Sequence, residues 1–343
     1  MKNITHLVRD NIRNLTPYSS ARDEYKGKTG VFLDANENPY GTLNRYPDPR
    51  QEELKTVICN ILKVEKDCLF IGNGSDEIID LAMRIFCNPG TDRILLFTPT
   101  YGVYEVSASI NDITVLTVPL KDDFQINISK AEQLFDDEKL KMTFICSPNN
   151  PTGHCMTSAD IEYIIQKFKG IVLLDEAYID FCKNHSFVRM ISRYDNLIVM
   201  QTLSKARGLA AARIGTAFAS PSIIHYFNVV KPPYNISTLN QQAALERLSD
   251  QNSCRTHVTE ILNERTRLRN DLGRLKLVEH IYPSDANFLL VRVNDAYNTY
   301  KYLVDNEIIV RNRSSLIDNC IRITVGTREE NDRLINALKR KSI

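Results

Sequence analysis

The sequence predicts an α/β protein: a large domain built on a mostly parallel, doubly wound sheet, followed by a smaller α+β C-terminal domain. Three observations predict it. From about residue 52 to 235, helical patterns alternate with short apolar runs, the pattern of buried strands joined by crossover helices. The Pro232-Pro233 break closes that stretch, and a long helical segment with two further apolar runs follows. Charged and polar residues sit directly after several of the runs, where open α/β sheets collect their ligands.

Residues 1–30 read as an arm, polar and helix-poor after Asn14. Met1 to Arg13 mix charges without an apolar core, so no signal peptide is expected. Residues 31–235 form the expected large domain, with helices at 52–62, 76–86 and 159–169. Its expected strands are the apolar runs at 93–97, 113–118, 142–146, 171–175, 197–201 and 216–219. Residues 236–343 form the expected small domain: a helical stretch over 239–275 interrupted near 251–253, strands at 288–293 and 320–325, and a helix at 296–306 between them.

The 343 residues are enough for one large or two medium domains. A composition of 43% hydrophobic and 25% charged residues is that of an ordinary globular chain. The net charge of +1 gives no reason to expect nucleic acid or an anionic membrane as a partner, and no apolar stretch approaches a spanning length. The eight cysteines are scattered with no CxxC pair, so the expectation is no metal and reduced thiols in a cytoplasmic protein.

The chemistry concentrates around Lys205, in Thr202-Leu203-Ser204-Lys205-Ala206 after the run at 197–201, with Arg213 eight positions on. Asp175 closes the run at 171–175, Tyr178 follows it, and Asn150 lies in Ser147-Pro148-Asn149-Asn150-Pro151-Thr152-Gly153. A lone loop lysine is ordinary. A lysine accompanied by an acid, a phenol, an amide and an arginine at strand ends is a candidate Schiff-base lysine for pyridoxal phosphate. Ser75 and Asp76 open a helix after Gly72-Asn73-Gly74, either a phosphate site or a plain capped helix; the motif is neither GxGxxG nor a Walker loop. A buried Asp175 needs a partner, which a protonated pyridine nitrogen, a cap or a salt bridge could supply. Asn150 and Tyr178 suit a cofactor phenolate oxygen, or are a turn asparagine and a packed tyrosine. Arg213 suits a phosphate, and Arg322 suits a substrate carboxylate if it faces inward.

In this order and spacing the residues resemble the fold-type I pyridoxal-phosphate aminotransferases over nearly the whole chain. The resemblance is carried by Leu33-Asp34-Ala35-Asn36-Glu37-Asn38-Pro39-Tyr40-Gly41, Asn44-Arg45-Tyr46-Pro47-Asp48-Pro49, Gly72-Asn73-Gly74-Ser75-Asp76-Glu77, Thr98-Pro99-Thr100-Tyr101-Gly102-Val103-Tyr104, the 147–153 run, Asp175-Glu176-Ala177-Tyr178, the 202–206 run and Cys320-Ile321-Arg322-Ile323-Thr324-Val325-Gly326-Thr327. The 33–41 and 320–327 elements narrow it to the branch acting on L-histidinol phosphate. The resemblance implies that Lys205 carries the cofactor and shuttles the proton. It implies that Asp175 pairs the pyridine nitrogen, Tyr178 and Asn150 bind the ring hydroxyl, and Tyr101 stacks on the ring. The backbone around Ser75 and Asp76, with Ser204 and Arg213, would hold the phosphate. Tyr46 would reach the neighbouring subunit's cofactor, which implies a homodimer. Arg322 would bind the α-carboxylate of glutamate; Tyr18 and Arg311 are candidates for the substrate phosphate, and Asn150 would also face substrate. The arm would pack on the small domain or on the dimer partner.

The implied reaction is exchange of an amino group between L-histidinol phosphate and 2-oxoglutarate. An aromatic aminotransferase and a threonine-phosphate decarboxylase are alternatives, because they share the residues around the cofactor. A non-catalytic pyridoxal-phosphate sensor is the remote one. Such regulators usually carry a fused helix-turn-helix domain, and a match beginning near Pro17 leaves no room for it. Arg207 departs from the apolar residue common at its place, and either adds charge near the phosphate loop or points to solvent.

Overall fold

The structure, a computed structural model, describes residues 4–18, 21–25, 27, 29–183 and 185–341; the rest of the expected arm lies outside the described residues. The chain runs through α1 (Asp10–Arg13), α2 (Ala21–Glu24), α3 (Glu52–Leu62), β1 (Leu69–Asn73), α4 (Ser75–Phe86), β2 (Arg93–Thr98), α5 (Val103–Ile110), β3 (Thr114–Pro119), α6 (Ile128–Glu132), β4 (Leu140–Cys146), α7 (Ser158–Lys167), β5 (Ile171–Asp175), β6 (Leu197–Thr202), β7 (Ile214–Phe218) and α8 (Pro221–Val230). It continues through α9 (Thr238–Ser249), α10 (Gln251–Leu272), β8 (Val278–Ile281), β9 (Phe288–Val293), α11 (Ala296–Asp305), β10 (Arg311–Asn312), β11 (Cys320–Thr324) and α12 (Arg328–Lys341).

Strands β1 to β7 make one sheet in the order β1-β7-β6-β5-β4-β2-β3. The pairs β3·β2, β2·β4, β4·β5 and β5·β6 are parallel, and β7 runs antiparallel to both its neighbours. The central strands are buried on both faces, which is why they read as continuous apolar runs. Along β5 the side chains alternate: Ile171 and Leu173 join Ile78, Ala82, Tyr104 and Phe227 on one face, whereas Val172 and Leu174 join Leu54, Ile161 and Leu248 on the other. Helices α4, α5 and α8 therefore cover one face and α3, α7 and α9 the other, the doubly wound arrangement.

Strands β8 to β11 form a second, antiparallel sheet in the order β10-β11-β9-β8. Its core joins Leu289, Val291 and Ile321 to Leu268 and Leu272 of α10 and to Leu334 and Leu338 of α12.

Several elements differ from the sequence reading. Strands β1, β8 and β10 and helices α5, α8 and α12 were not among the expected elements. At the arm's start, Ile4, Leu7, Val8 and Ile12 are buried with Phe86, Ile224 and Phe227. Arg9 donates its amide to the Ile85 carbonyl at 3.0 Å. This end of the arm thus packs on α4 and α8 of the larger sheet rather than on the smaller one. Because β4 and β5 are neighbours, the loops after them lie side by side and bring the sulfurs of Cys155 and Cys182 together. No helix among the described residues is long and apolar enough to cross a membrane.

Candidate active site

One edge of the large sheet gathers the chemistry. The carboxyl ends of β4, β5 and β6 point the same way, and the antiparallel β7 begins beside the end of β1. Asn150, Asp175, Lys205, Arg213 and the start of α4 therefore come together by topology. With β10 and β11 opposite, they enclose a cleft of about 360 Å³ lined by Ser75, Asp76, Tyr101, Asn150, Asp175, Tyr178, Ser204, Lys205, Arg213, Arg311, Arg313 and Arg322.

At the floor, Asp175 is only 4% exposed. Its carboxylate accepts hydrogen bonds from the Tyr104 hydroxyl at 2.5 Å and from the Ala177 amide at 2.9 Å. Burial nevertheless outweighs these bonds and raises its pKa from 3.8 to about 6. The site thus holds a carboxylate that a nearby cation would stabilise. Lys205 faces the same space, its ammonium 5.7 Å from the centre of the Tyr178 ring. Burial first, then Arg322, lowers its pKa below that of an ordinary lysine.

At one end of the cleft, α4 starts at Gly74 with no side-chain cap, so its first N–H groups are unclaimed by the side chain there. Gly74 has φ +77°, and a Cβ on it would meet the Arg213 Nη2 at 2.4 Å. Arg213 itself sits at φ 51°, its carbonyl accepting from the Gly74 amide at 2.8 Å and its guanidinium 3.2 Å from Asp76. A Cβ on Gly215 would lie 2.5 Å from the Ser75 nitrogen. The backbone is thus drawn tight around a small pocket beside Ser204, whose amide donates to Thr202 Oγ1 at 3.1 Å. Glycines that leave room where a side chain would intrude, together with an arginine and a helix N-terminus, are features that a phosphate requires.

At the opposite end, Arg322 donates to Asn150 Oδ1, and Asn150 Nδ2 lies 3.5 Å from the Tyr178 hydroxyl. Burial pushes the Tyr178 phenol well above its ordinary value, so it stays a neutral donor. Tyr101, on the α4 side, has its hydroxyl 3.5 Å from Asp76 and its pKa pushed up to about 12 by burial and then by Asp76.

Two sequence candidates lie elsewhere. Tyr18 is 74% exposed and does not line the cleft. Tyr46 stacks on Tyr234 at 4.4 Å between ring centres and lines a separate surface groove of about 390 Å³ with Leu43, Arg45 and Leu239. Glu37 fixes this segment, accepting from Arg22 at 2.6 Å, Arg45 at 2.7 Å and the Tyr46 amide at 2.6 Å. Burial opposes its ionisation, but these three donors outweigh it and hold the carboxyl at about 2. Arg207 takes neither course considered for it: it donates to Gln251 on α10 at 2.7 Å and lies 3.9 Å from Asp180.

Sequence reasoning missed Tyr104 and Arg313. Tyr104 is a helix residue whose role appears only through its contact with Asp175. Arg313 had a visible signal: it stands two positions after Arg311, the spacing of one strand face.

The residues present fit pyridoxal phosphate. The Gly74–Gly215 cradle and uncapped α4 suit its phosphate, and the buried Asp175 suits its ring nitrogen. Comparisons with known proteins point the same way. The family Aminotransferase class I and II matches residues 24–338. A histidinol-phosphate aminotransferase from Cytophaga hutchinsonii is 50% identical over 340 residues, which cover 97% of each chain. The crystal structure of the histidinol-phosphate aminotransferase from Clostridium acetobutylicum has a TM-score of 0.80 at 26% identity, covering 88% of this chain and 91% of that one. The enzyme of that name from Sinorhizobium meliloti, solved in complex with pyridoxal 5'-phosphate, has a TM-score of 0.78 and covers 89% of each chain. At 23% identity, that last likeness is one of fold.

Proposed function

The chain belongs to the class I and II aminotransferases, and from that premise we propose that it exchanges an amino group between L-histidinol phosphate and 2-oxoglutarate. The products are imidazole-acetol phosphate and L-glutamate, placing the enzyme in L-histidine biosynthesis. The observation that carries this reading is the meeting of an amine, a buried carboxylate, an uncapped helix N-terminus and four arginines in one cleft. The substrate assignment draws its support from the relatives of that name.

Pyridoxal phosphate, when bound, supplies a cationic ring that absorbs the electron pair left at the substrate α-carbon. Around it the chain's residues have separate tasks. The backbone at Ser75 and Asp76, with Ser204 and Arg213, holds the phosphate. Asp175 pairs the ring nitrogen, Asn150 and Tyr178 donate to the ring hydroxyl, and Tyr101 packs on the ring face. Lys205 would attach the cofactor through its amine, and its freed Nζ would then take the proton from the substrate α-carbon and deliver it to the cofactor's aldehyde carbon. A lysine with a lowered pKa is neutral in a larger fraction of molecules, as a general base must be. Arg322 orients the glutamate α-carboxylate, and Arg311 the substrate phosphate, with Tyr18 as a further candidate from the arm.

We further propose a cytoplasmic homodimer in which Tyr46 completes the partner's site. Val31, Leu33, Tyr40 and Leu43 are 88%, 88%, 83% and 63% exposed, an apolar run beside Tyr46 that a second copy would cover. The test compares amino transfer from L-histidinol phosphate and from phenylalanine with carbon dioxide release from threonine phosphate, on protein reconstituted with pyridoxal phosphate. Preference for L-histidinol phosphate supports the reading; preference for phenylalanine, or carbon dioxide release, replaces it with an aromatic aminotransferase or a decarboxylase.

A further inference from the structure

Three guanidinium groups share one face of the small sheet. Arg311 on β10 stands directly opposite Arg322 on β11. The ladder continues one step on, where the Arg313 amide donates to the Cys320 carbonyl at 2.8 Å. Residues opposite each other in an antiparallel pair share a face, and so do residues two apart on one strand. Arg311, Arg313 and Arg322 therefore point together, and all three line the cleft.

Like charges in this arrangement repel, and among the described residues no acid lining the cleft pairs with any of the three. The acids of the cleft are engaged elsewhere: Asp76 with Arg213, and Asp175 with Tyr104 and the Ala177 amide. Arg322 is tied to Asn150. Among the described residues, Arg313 Nε is buried without a hydrogen-bond partner. Burial, then Arg322 and Arg311, lowers the pKa of Arg313. A half-buried guanidinium crowded by two others is a group awaiting an anion.

The two proposed substrates differ in what they can offer. The α-carboxylate of glutamate is a monoanion bound directly to the α-carbon, and one guanidinium matches it in a bidentate pair. An amino-alcohol phosphate carries a dianion with three terminal oxygens, set two atoms farther from the α-carbon. It can satisfy more than one arginine, whereas the α-carboxylate of glutamate, on the same arm of the α-carbon, leaves two of the three without a partner; the γ-carboxylate extends along the other arm, where L-histidinol phosphate carries its imidazole. We infer that Arg313 is a specificity-determining residue: with Arg311 it forms an anion subsite beyond Arg322 that favours a phosphomonoester dianion over a carboxylate. This rests on the reading of the cleft as an aminotransferase site acting on L-histidinol phosphate.

The test uses the holoenzyme and its Arg313→Gln and Arg313→Lys variants. Each is measured in the separate half-reactions with L-histidinol phosphate and with L-glutamate, and by calorimetric titration with inorganic phosphate and with acetate. Loss of one charge-assisted hydrogen-bonding partner predicts that Arg313→Gln raises the KM for L-histidinol phosphate about 10- to 100-fold. The KM for glutamate should shift by less than about threefold, since its α-carboxylate is matched by Arg322 and its γ-carboxylate lies on the opposite arm of the α-carbon. Phosphate binding should weaken while acetate binding holds, and Arg313→Lys should recover part of both phosphate effects. Equal rises in both KM values would assign Arg313 a structural role and overturn the inference, as would no rise in either. If the wild type does not use L-histidinol phosphate, the functional reading fails by itself. The phosphate titration then decides the inference, which an unchanged phosphate affinity in Arg313→Gln overturns.

Discussion

Replacing Asp175 with asparagine should move stability and activity in opposite directions. Asp175 is 4% exposed, and burial raises its carboxyl from 3.8 to about 6 despite the hydrogen bonds from Tyr104 and Ala177. A carboxyl with a folded pKa above its unfolded value costs the fold stability when ionised. That cost is present above about pH 6 and is relieved as pH falls toward the unfolded value near 4. At about 1.36 kcal/mol per pKa unit it amounts to about 3 kcal/mol. Asparagine keeps the shape and an acceptor for the Ala177 amide but removes the charge. At about 2.1 cal/mol/K per residue, the cofactor-free variant should melt about 4 °C higher than wild type at pH 8. The gain should shrink at pH 5. In the holoenzyme the sign reverses, because the lost charge no longer supports a protonated ring nitrogen. An opposite charge at contact is worth about 1 to 3 pKa units, so the α-proton transfer should slow about 10- to 1000-fold. Thermal melts of the cofactor-free protein at both pH values, with stopped-flow half-reactions of the reconstituted enzyme, read both effects. A variant that melts below wild type at pH 8, or that retains full activity, would refute the claim that Asp175 is a buried charge kept for a cation.

Other perturbations test neighbouring parts of the site. Gly74→Ala places a Cβ 2.4 Å from Arg213 Nη2 at φ +77°, and should weaken pyridoxal phosphate affinity at least about tenfold by equilibrium dialysis; unchanged affinity would remove Gly74 from the cradle. Arg322 helps depress the Lys205 pKa, so Arg322→Gln should move the acidic limb of the pH–rate profile to higher pH, because the neutral amine then appears later in the titration. An unmoved limb would mean that Lys205 does not titrate in that step. In mixtures of Lys205→Ala and Tyr46→Ala chains, re-association should restore about a quarter of wild-type activity, since half the dimers then hold one intact site. No recovery, with dimers re-forming, would confine each site to a single chain.

The legible parts of the fold were those where burial on both faces leaves a continuous apolar run. Strands β4, β5 and β6 are of this kind, and their ends carry Asn150, Asp175 and Lys205. Topology then did the assembly, since parallel neighbours deliver their following loops to one edge. Strand β1 was hidden because Leu69–Asn73 holds a glycine and a polar end next to a glycine turn. Strand β10 has two residues, Arg311 and Asn312, and no apolar alternation to betray it. Arg313 was missed with it. Tyr104 was unreadable for another reason: its hydroxyl reaches Asp175 across 71 positions, and no local pattern encodes that contact. The same holds for Cys155 and Cys182, which meet because β4 and β5 pair. The arm's apolar residues at Ile4, Leu7, Val8 and Ile12 had helical spacing, yet only the structure reveals which surface they cover.

The most direct test of the account is a single-turnover measurement on wild-type protein reconstituted with pyridoxal phosphate. L-histidinol phosphate should discharge the visible absorbance of the lysine-bound cofactor stoichiometrically, with 2-oxoglutarate restoring it and glutamate appearing in equal amount. No spectral change with L-histidinol phosphate, while phenylalanine or threonine phosphate produces one, would contradict it.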